Sequence, residues 1–150
     1  MVGSDKVTGE RRKIGSPKDL ALAARERDEA FAQVSARIAE KGLTLQKLPD
    51  GYSRVRWGML SEEERRRQDT GIRVVCWSEL YEIPKGSVGK VLGYDPRNLD
   101  VDIEWITVKH AKEDPIIDGF SPDEFLDSLA VLSKQEYEQY AKALKPSARG

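Results

Sequence analysis

Apolar and polar residues alternate most clearly in the middle of the chain. Val101, Ile103 and Trp105 are separated by Asp102 and Glu104, which is the period-two pattern of a strand with one buried and one solvated face. Glycine, proline and aspartate at the ends of neighbouring apolar runs indicate turns. The pattern therefore predicts four strands, at residues 72–77, 86–94, 100–107 and 129–132.

The connections between these strands differ in character. Pro84-Lys85-Gly86 and the run 95–98 are typical of tight turns. The polar segment 107–118 is predicted to be a long loop. Ser121-Pro122 followed by two acidic residues then indicates a short helical element within 120–127, just before the last strand.

A longer helix is predicted before this region. Ser16 is placed to cap it and Pro17 to open it, and the periodic pattern continues to Lys41, where Gly42 ends it. Its apolar residues recur at spacings of three, four and seven, which form one stripe along the helix. We expect this stripe to pack on its own domain; a coiled-coil seam with a partner is the alternative.

Three further elements complete the pattern. Residues 43–57 resemble a hairpin that turns at Pro49-Asp50-Gly51. Ser61 followed by Glu64 is a capping box that begins a short helix ending in three arginines. A second capping box at Ser133 begins a C-terminal helix that Pro146 is expected to stop. Whether the hairpin joins the sheet is left open by the sequence.

Composition narrows the class of protein. Of the 150 residues, 39% are hydrophobic and 34% are charged, and the apolar runs are far shorter than a membrane span requires. The first residues contain basic side chains without the apolar run of a secretory signal. A single cysteine cannot form an internal disulfide, which fits a reducing compartment. We therefore expect a cytoplasmic protein with no membrane association.

The net charge of −1 conceals an uneven distribution. The region 71–132 contains 12 acidic and 6 basic residues, a net charge of −6, whereas both flanking regions are positive. An acidic surface on the strand region opposes contacts with phosphates and favours a basic partner.

The strand region has a recognisable glycine pattern. The sequence IPKGSVGKVLGYD, followed by VDIEWI, resembles the KOW-type version of the Src-homology-3-like small barrel, and is similar to small-barrel domains of uncharacterised bacterial or phage proteins. The resemblance covers residues 72–132. It implies an α+β fold built on a small, bent antiparallel Src-homology-3-like β-barrel, with the N-terminal and C-terminal helices beside it.

This fold class gives the expected domain organisation. We predict, in chain order, a disordered lead-in (1–15), an N-terminal helix with a hairpin and a short helix (16–70), a small β-barrel (71–133), a C-terminal helix (134–145) and a tail (146–150).

Catalytic chemistry finds little support in the sequence. His110, the single histidine, lies in a polar run that offers no buried neighbours to hold it as a base. Cys76 lies between apolar residues of a strand and is interpreted as a buried thiol, without the basic surroundings that a nucleophile needs. One cysteine and one histidine do not make a structural zinc site. We expect no enzyme activity, no cofactor and no metal.

A non-enzymatic protein-binding or adaptor function is the leading hypothesis. Its candidate binding residues are Tyr81 and Tyr94 near turns, with Asp102 and Glu104 on the solvated strand face, and the expected partner is a basic or extended protein segment. Trp77 and Trp105 are predicted to face the core.

The alternative hypothesis is binding of single-stranded nucleic acid. Basic and aromatic residues are interleaved in the segment before the sheet, a pattern suited to phosphate contacts and base stacking. The candidates are Arg54, Arg56, Trp57, Arg65, Arg66 and Arg67, together with the basic cluster at 11–13. This hypothesis requires the side chains to converge on one face.

Overall fold

A computed structural model describes residues 16–109 and 115–149 of the chain. Within them the fold is α+β, with five helices and five strands. In chain order the elements are α1 (Pro17–Glu40), α2 (Arg54–Gly58), α3 (Glu62–Arg67), β1 (Arg73–Cys76), β2 (Val88–Tyr94), β3 (Val101–Lys109), β4 (Pro115–Phe120), α4 (Pro122–Ser128), β5 (Leu129–Leu132) and α5 (Lys134–Arg149).

The five strands form one antiparallel sheet with the order β4-β3-β2-β1-β5. In the register of β2 and β3, Gly89 lies opposite Trp105 and Lys90 opposite Glu104, and the register shifts between Val91 and Gly93. Strands β4 and β5 are the edges of this sheet, which is not closed. The closed barrel predicted from the sequence is therefore not confirmed.

One face of the sheet packs against α1 and α4 to form the main core. Val34 and Ile38 of α1 and Phe125 of α4 are completely buried there, and Trp105 of β3 lies beside them as predicted. The N-terminal half of α1 is exposed, because its buried residues begin only at Ala30. Burial of this apolar face supplies most of the driving force for folding.

The opposite face of the sheet is covered by the segment that contains α2 and α3. A second cluster of buried residues forms there, made of Leu48, Trp57 and Leu92. The hairpin predicted for residues 43–57 is wrong. The Ser53 hydroxyl accepts a hydrogen bond from the Arg56 amide at 3.0 Å and begins α2 instead, and Lys47 forms only an isolated bridge with Tyr94.

Most element boundaries agree with the sequence, and two do not. The loop predicted for residues 107–118 is wrong in part, because β3 continues to Lys109 and a fifth strand that the sequence pattern does not predict, β4, begins at Pro115. Helix α5 continues past Pro146 to Arg149, so a tail does not begin at 146; proline removes one helical hydrogen bond without always ending the helix. His110, the lead-in at 1–15 and the basic cluster at 11–13 lie outside the described residues.

Candidate functional site

The acidic residues of β3 lie beneath the segment that contains α2 and α3. Asp102 and Glu104 share one face of the strand, as the alternation predicts, but both are buried rather than solvated. The predicted acidic binding surface is therefore wrong at these two positions. The sequence alternation identified the face correctly but contained no sign that another segment covers it.

Glu104 neutralises the buried cations of this face. Its Oε1 accepts a hydrogen bond from the Trp57 indole nitrogen at 2.8 Å, and its Oε2 accepts one from Arg65 Nε at 3.2 Å. The ammonium group of Lys90, on the facing strand, is 3.9 Å from Oε1. A buried carboxylate is tolerated because it is paired and hydrogen-bonded in this way.

Asp102 accepts a second set of hydrogen bonds on this buried face, and together with those of Glu104 they form one polar network. Its carboxylate accepts a hydrogen bond from the Tyr52 hydroxyl at 2.8 Å and another from Arg54 Nε at 3.3 Å. Burial raises the pKa of Asp102 above its ordinary value, against the effect of these two hydrogen bonds. Burial and the bond to Asp102 likewise raise the pKa of Tyr52. The hydrogen bonds of Asp102 therefore attach Tyr52 and the start of α2 to the sheet.

Residues proposed for the two alternative functions thus bind one another inside the protein: Asp102 and Glu104 from the protein-binding hypothesis accept hydrogen bonds from Arg54, Trp57 and Arg65 of the nucleic-acid hypothesis. Trp57, expected to stack on bases, is only 5% exposed and donates its single polar hydrogen to Glu104. Arg65 is buried, and Arg54 is half exposed and paired with Asp102. Besides Arg54, the exposed members of the basic set are Arg56, Arg66 and Arg67. In the part of this segment that the structure describes, Trp57 and Arg65 are therefore not exposed together as a surface for single-stranded nucleic acid.

The strongest exposed aromatic feature is the loop between β1 and β2. Tyr81 is 90% exposed and Trp77 is 50% exposed. The core position expected for Trp77 is wrong. Ile72, Val74 and Cys76 are buried, so the alternation of side chains along a strand places Trp77 on the opposite face of the sheet. The sequence already contains this alternation.

Several contacts hold this loop in one conformation. The Leu80 and Ile83 backbones exchange two hydrogen bonds, of 3.0 and 3.1 Å, which leaves Tyr81 and Glu82 at the tip of a two-residue turn. Glu82 has a positive φ of 69° there. Ile83 is buried in the core beneath the tip. The tip aromatic is therefore displayed on an ordered support.

The base of the loop is fastened to the helices. The Trp77 indole nitrogen donates a hydrogen bond to the Asp127 carbonyl oxygen, which seats the ring beside α4. The Tyr140 hydroxyl of α5 donates to the Gly86 carbonyl oxygen at the other end of the loop. Neither Asp127 nor Tyr140 was identified as a support from sequence, because their partners are about fifty residues away along the chain.

Tyr94, the other candidate from the sequence, is half-buried. Its ring packs edge-on against Phe31 of α1, with ring centroids 5.0 Å apart. Its backbone pairs with the segment before α2 through hydrogen bonds to Gln46 and Leu48. Tyr94 therefore joins α1 to the sheet, and the exposed aromatics of the loop are Trp77 and Tyr81.

A cavity of about 310 Å³ lies between residues 47–52 and the turn at 95–97. Its charged groups largely satisfy one another, since Arg97 is paired with Asp95 at 2.8 Å and Lys47 with Asp50 at 3.9 Å. The Arg97 hydrogen bonds hold the pKa of Asp95 below its ordinary value. This internal pairing leaves little charge to recognise a ligand.

A mostly buried ion pair joins the end of α3 to β1. Both oxygens of Asp69 accept hydrogen bonds from Arg73. Burial raises the pKa of Asp69, but the hydrogen bonds from Arg73 and the Gly71 amide, together with the positive charges of Arg73 and Lys90, outweigh burial, so the pKa lies below its ordinary value of 3.8. The folded state is therefore stabilised by ionised Asp69 above pH 4, and this stabilisation is lost as the pH falls through the folded-state pKa.

The Asp69→Asn substitution tests this pair. We expect the free energy of unfolding to fall by about 1–2 kcal/mol at pH 7, because Arg73 loses its carboxylate while the pair keeps some solvent contact. The loss relative to the native chain should shrink as the pH falls below about 4 and disappear below the folded-state pKa of Asp69, where the native carboxylate is protonated as well. Urea unfolding followed by circular dichroism measures both effects. Asp50→Asn, at an exposed ion pair, is the control and should change little.

The described residues also bear on metals and membranes. Within 16–109 and 115–149 no group of three or more His, Cys, Asp or Glu is placed to hold a metal ion. No helix in that part of the chain is long and apolar enough to cross a membrane. No family model, no curated protein and no solved structure matches the chain.

Proposed function

We propose that this chain is a non-enzymatic protein-binding module that recognises a partner through the β1–β2 loop. The observation that carries the proposal is the exposure of Trp77 and Tyr81 on a loop whose backbone is already ordered. Exposed tyrosine and tryptophan dominate binding energies at protein interfaces. Because the loop is fixed before binding, little conformational entropy is lost when a partner docks.

The charges near the loop favour a basic partner. The loop carries Glu79, Glu82 and Lys85, and all three side chains are exposed. The Trp77 indole donates to the backbone carbonyl of Asp127 in α4, and the Asp127 side chain is exposed. Three carboxylates and one lysine thus lie on or beside the aromatic loop. An extended segment that alternates Lys or Arg with apolar residues matches this combination.

We further infer that the sheet is an open form of the Src-homology-3-like arrangement. The support is its strand order, in which β1 to β4 follow one another and β5 returns to pair with β1. The short helix α4 immediately before β5 and the irregularity at Gly93 in β2 agree with this topology. In small folds of this type, aromatics at loop edges form grooves for extended peptides.

Synthetic peptides test the binding proposal. We expect extended peptides in which Lys or Arg alternates with Pro and Leu to shift the Trp77 indole resonance in a labelled sample. The indole resonances of Trp57 and Trp105 report from hydrogen bonds to Glu104 and Asp118, away from the loop, and should stay fixed. Matched peptides with Glu in place of the basic residues should not bind, because they meet like charges.

Tyr81→Ala is the informative variant, because a side chain that is 90% exposed contributes little to folding. We expect it to weaken peptide binding by about tenfold or more. The control is Val55→Ala with Met59→Ala, which removes two exposed apolar side chains from α2 instead. Peptide binding that both variants leave unchanged would contradict the proposal. A response to single-stranded oligonucleotide without a response to peptides would favour the nucleic-acid alternative.

A further inference from the structure

A polar cavity of about 230 Å³ lies between α3, the sheet and α5, and the aromatic loop contributes nothing to its wall. The basic residues in its wall are Arg65 and Arg66 of α3, Arg73 of β1 and Lys90 of β2. Tyr137 of α5 lines it as well, with its ring under the Arg73 guanidinium at 5.2 Å from the ring centroid. Four cations from three elements therefore line one cavity that is open to solvent.

Lys90 has the least satisfied charge in this cavity. The residue is only 9% exposed, yet its closest carboxylate oxygen, Glu104 Oε1, lies at 3.9 Å, beyond hydrogen-bonding distance. That oxygen already accepts the Trp57 indole hydrogen at 2.8 Å. Among the described residues the buried side-chain nitrogen without a partner is Arg73 Nε, so the Lys90 ammonium itself keeps contact with solvent and can donate to an acceptor in the cavity. The position of Lys90 in the cavity wall leaves room for an acceptor from outside the chain.

Arg73 adds a second unsatisfied donor. Its terminal nitrogens bond Asp69, but its Nε is buried without a hydrogen-bond partner among the described residues. Native structures leave few buried polar groups unpaired, so such groups point to a binding role or an absent ligand. Lys90 and Arg73 lie on adjacent strands and face each other in the register.

The acidic groups of the cavity do not cancel the cations. Glu104 is matched by Arg65 and Asp69 by Arg73. The remaining carboxylate, Glu62, is exposed on the first turn of α3, and the remaining cations are Arg66 and Lys90. The cavity wall therefore has an excess of one positive charge, and Lys90, which shares Glu104 with Arg65, is its most buried cation without a carboxylate of its own.

We propose that this cavity is a binding site for a small oxyanion, the phosphoryl or carboxylate group of a small molecule. The anion accepts hydrogen bonds from the Lys90 ammonium and the Arg66 guanidinium, with the Tyr137 hydroxyl at the α5 side of the wall. The volume is several times the roughly 30 Å³ of one water, so a tetrahedral phosphate fits. The site is separate from the β1–β2 loop and does not depend on the protein-binding proposal.

Titration of the labelled full chain with inorganic phosphate at constant ionic strength tests this site. We expect saturable shifts of the Lys90, Ile106 and Tyr137 amides, with a rise in melting temperature as phosphate is added. A parallel titration with acetate distinguishes the two sources of the oxyanion. The anion that saturates these amides at the lower concentration identifies the class of ligand.

Two exposed arginines of α3 provide a matched pair of variants. Arg66 lines the cavity and Arg67 does not, although both side chains are exposed and lie on the same helix. We expect Arg66→Gln to weaken anion binding about three- to tenfold, while Arg67→Gln stays within about twofold. Lys90→Met should weaken it more, by about tenfold or greater, with Lys85→Met as its control.

Each result bears directly on the proposal. Equal losses in Arg66→Gln and Arg67→Gln would show diffuse attraction to a basic helix and overturn it, and so would shifts that rise without saturation for both anions. Binding of single-stranded oligonucleotide at these amides without binding of phosphate or acetate would also overturn it. If Lys90→Met fails to fold, the comparison of the two exposed arginines still decides the question.

Discussion

Replacement of Glu104 with Gln is expected to lower the free energy of unfolding by about 3 kcal/mol. The Glu104 carboxylate lies within 4 Å of two buried cations, Arg65 at 3.2 Å and Lys90 at 3.9 Å. Gln keeps the length of the side chain and can still accept from the Trp57 indole. Its amide cannot neutralise the cations, however, and one of its polar atoms becomes a donor that faces another donor.

Urea unfolding followed by far-ultraviolet circular dichroism measures this loss without relying on the tryptophans. Glu63→Gln is the matched control, because Glu63 is exposed on α3 and is expected to change the stability by less than about 0.5 kcal/mol. Arg65→Met combined with Glu104→Gln completes a double-mutant cycle. The double variant should lose less than the two single losses added together, since each substitution removes the burial penalty that the other creates.

A loss below about 1 kcal/mol for Glu104→Gln would contradict the view that this network holds the α2–α3 segment on the sheet. Strict additivity in the cycle would show that Arg65 and Glu104 do not stabilise each other. In either case the covering segment would be held by the apolar cluster of Leu48, Trp57 and Leu92 and by the hydrogen bonds to Asp102, and not by the Glu104 ion pair.

The sequence predicts best those elements whose signals are local. The capping boxes predicted at Ser61 and Ser133 are present, and the helix start predicted at Ser121 has one as well, each with reciprocal hydrogen bonds between the serine and the glutamate three residues later. The helix from Pro17 to Glu40 begins at its capping serine and is followed by Gly42 with a φ of 78°. Such signals act within one turn of chain, so no tertiary information is needed.

The functional surfaces depend on contacts between segments that are distant along the chain. Local sequence patterns contain no sign of such contacts. Asp102 and Glu104 obey the strand alternation, but their burial depends on Tyr52, Arg54 and Trp57, which lie about fifty residues earlier. A charged residue on the polar face of a strand has the same local pattern whether water or another segment covers it. The arginines of this segment therefore suggest a nucleic-acid surface, although two of them, Arg54 and Arg65, pair with internal carboxylates.

Placement of charges on this internal face has a consequence for the fold as well. The sheet presents apolar residues to α1 and α4 on one side and paired ions to α2 and α3 on the other. The carboxylates of β3 accept hydrogen bonds only from donors at particular positions, which fixes the register of the covering segment more narrowly than apolar contacts would. Buried polar groups act in this way in some proteins, where they specify one arrangement at a cost in stability.

Replacement of Gly89 with Ala is the substitution expected to disturb the main core most for its size. A Cβ at this position of β2 would lie 2.5 Å from Ile103 Cγ2 and 2.9 Å from Trp105 Cε3. Both neighbours are completely buried on the adjacent strand, so neither can move without displacing others. We expect a loss of about 3 kcal/mol in the free energy of unfolding, at the upper end of the usual cost of overpacking.

The same chemical change at Gly58 is the control. Gly58 is the last residue of α2, and a Cβ there would have no atom within 4 Å. Alanine is the better helix former, so Gly58→Ala should leave the stability unchanged or raise it by up to about 1 kcal/mol. Thermal and urea unfolding of the two variants measure the contrast. If Gly89→Ala were as stable as Gly58→Ala, Trp105 would not pack against the bare backbone of β2, and the strand register that places Lys90 opposite Glu104 would have to be revised.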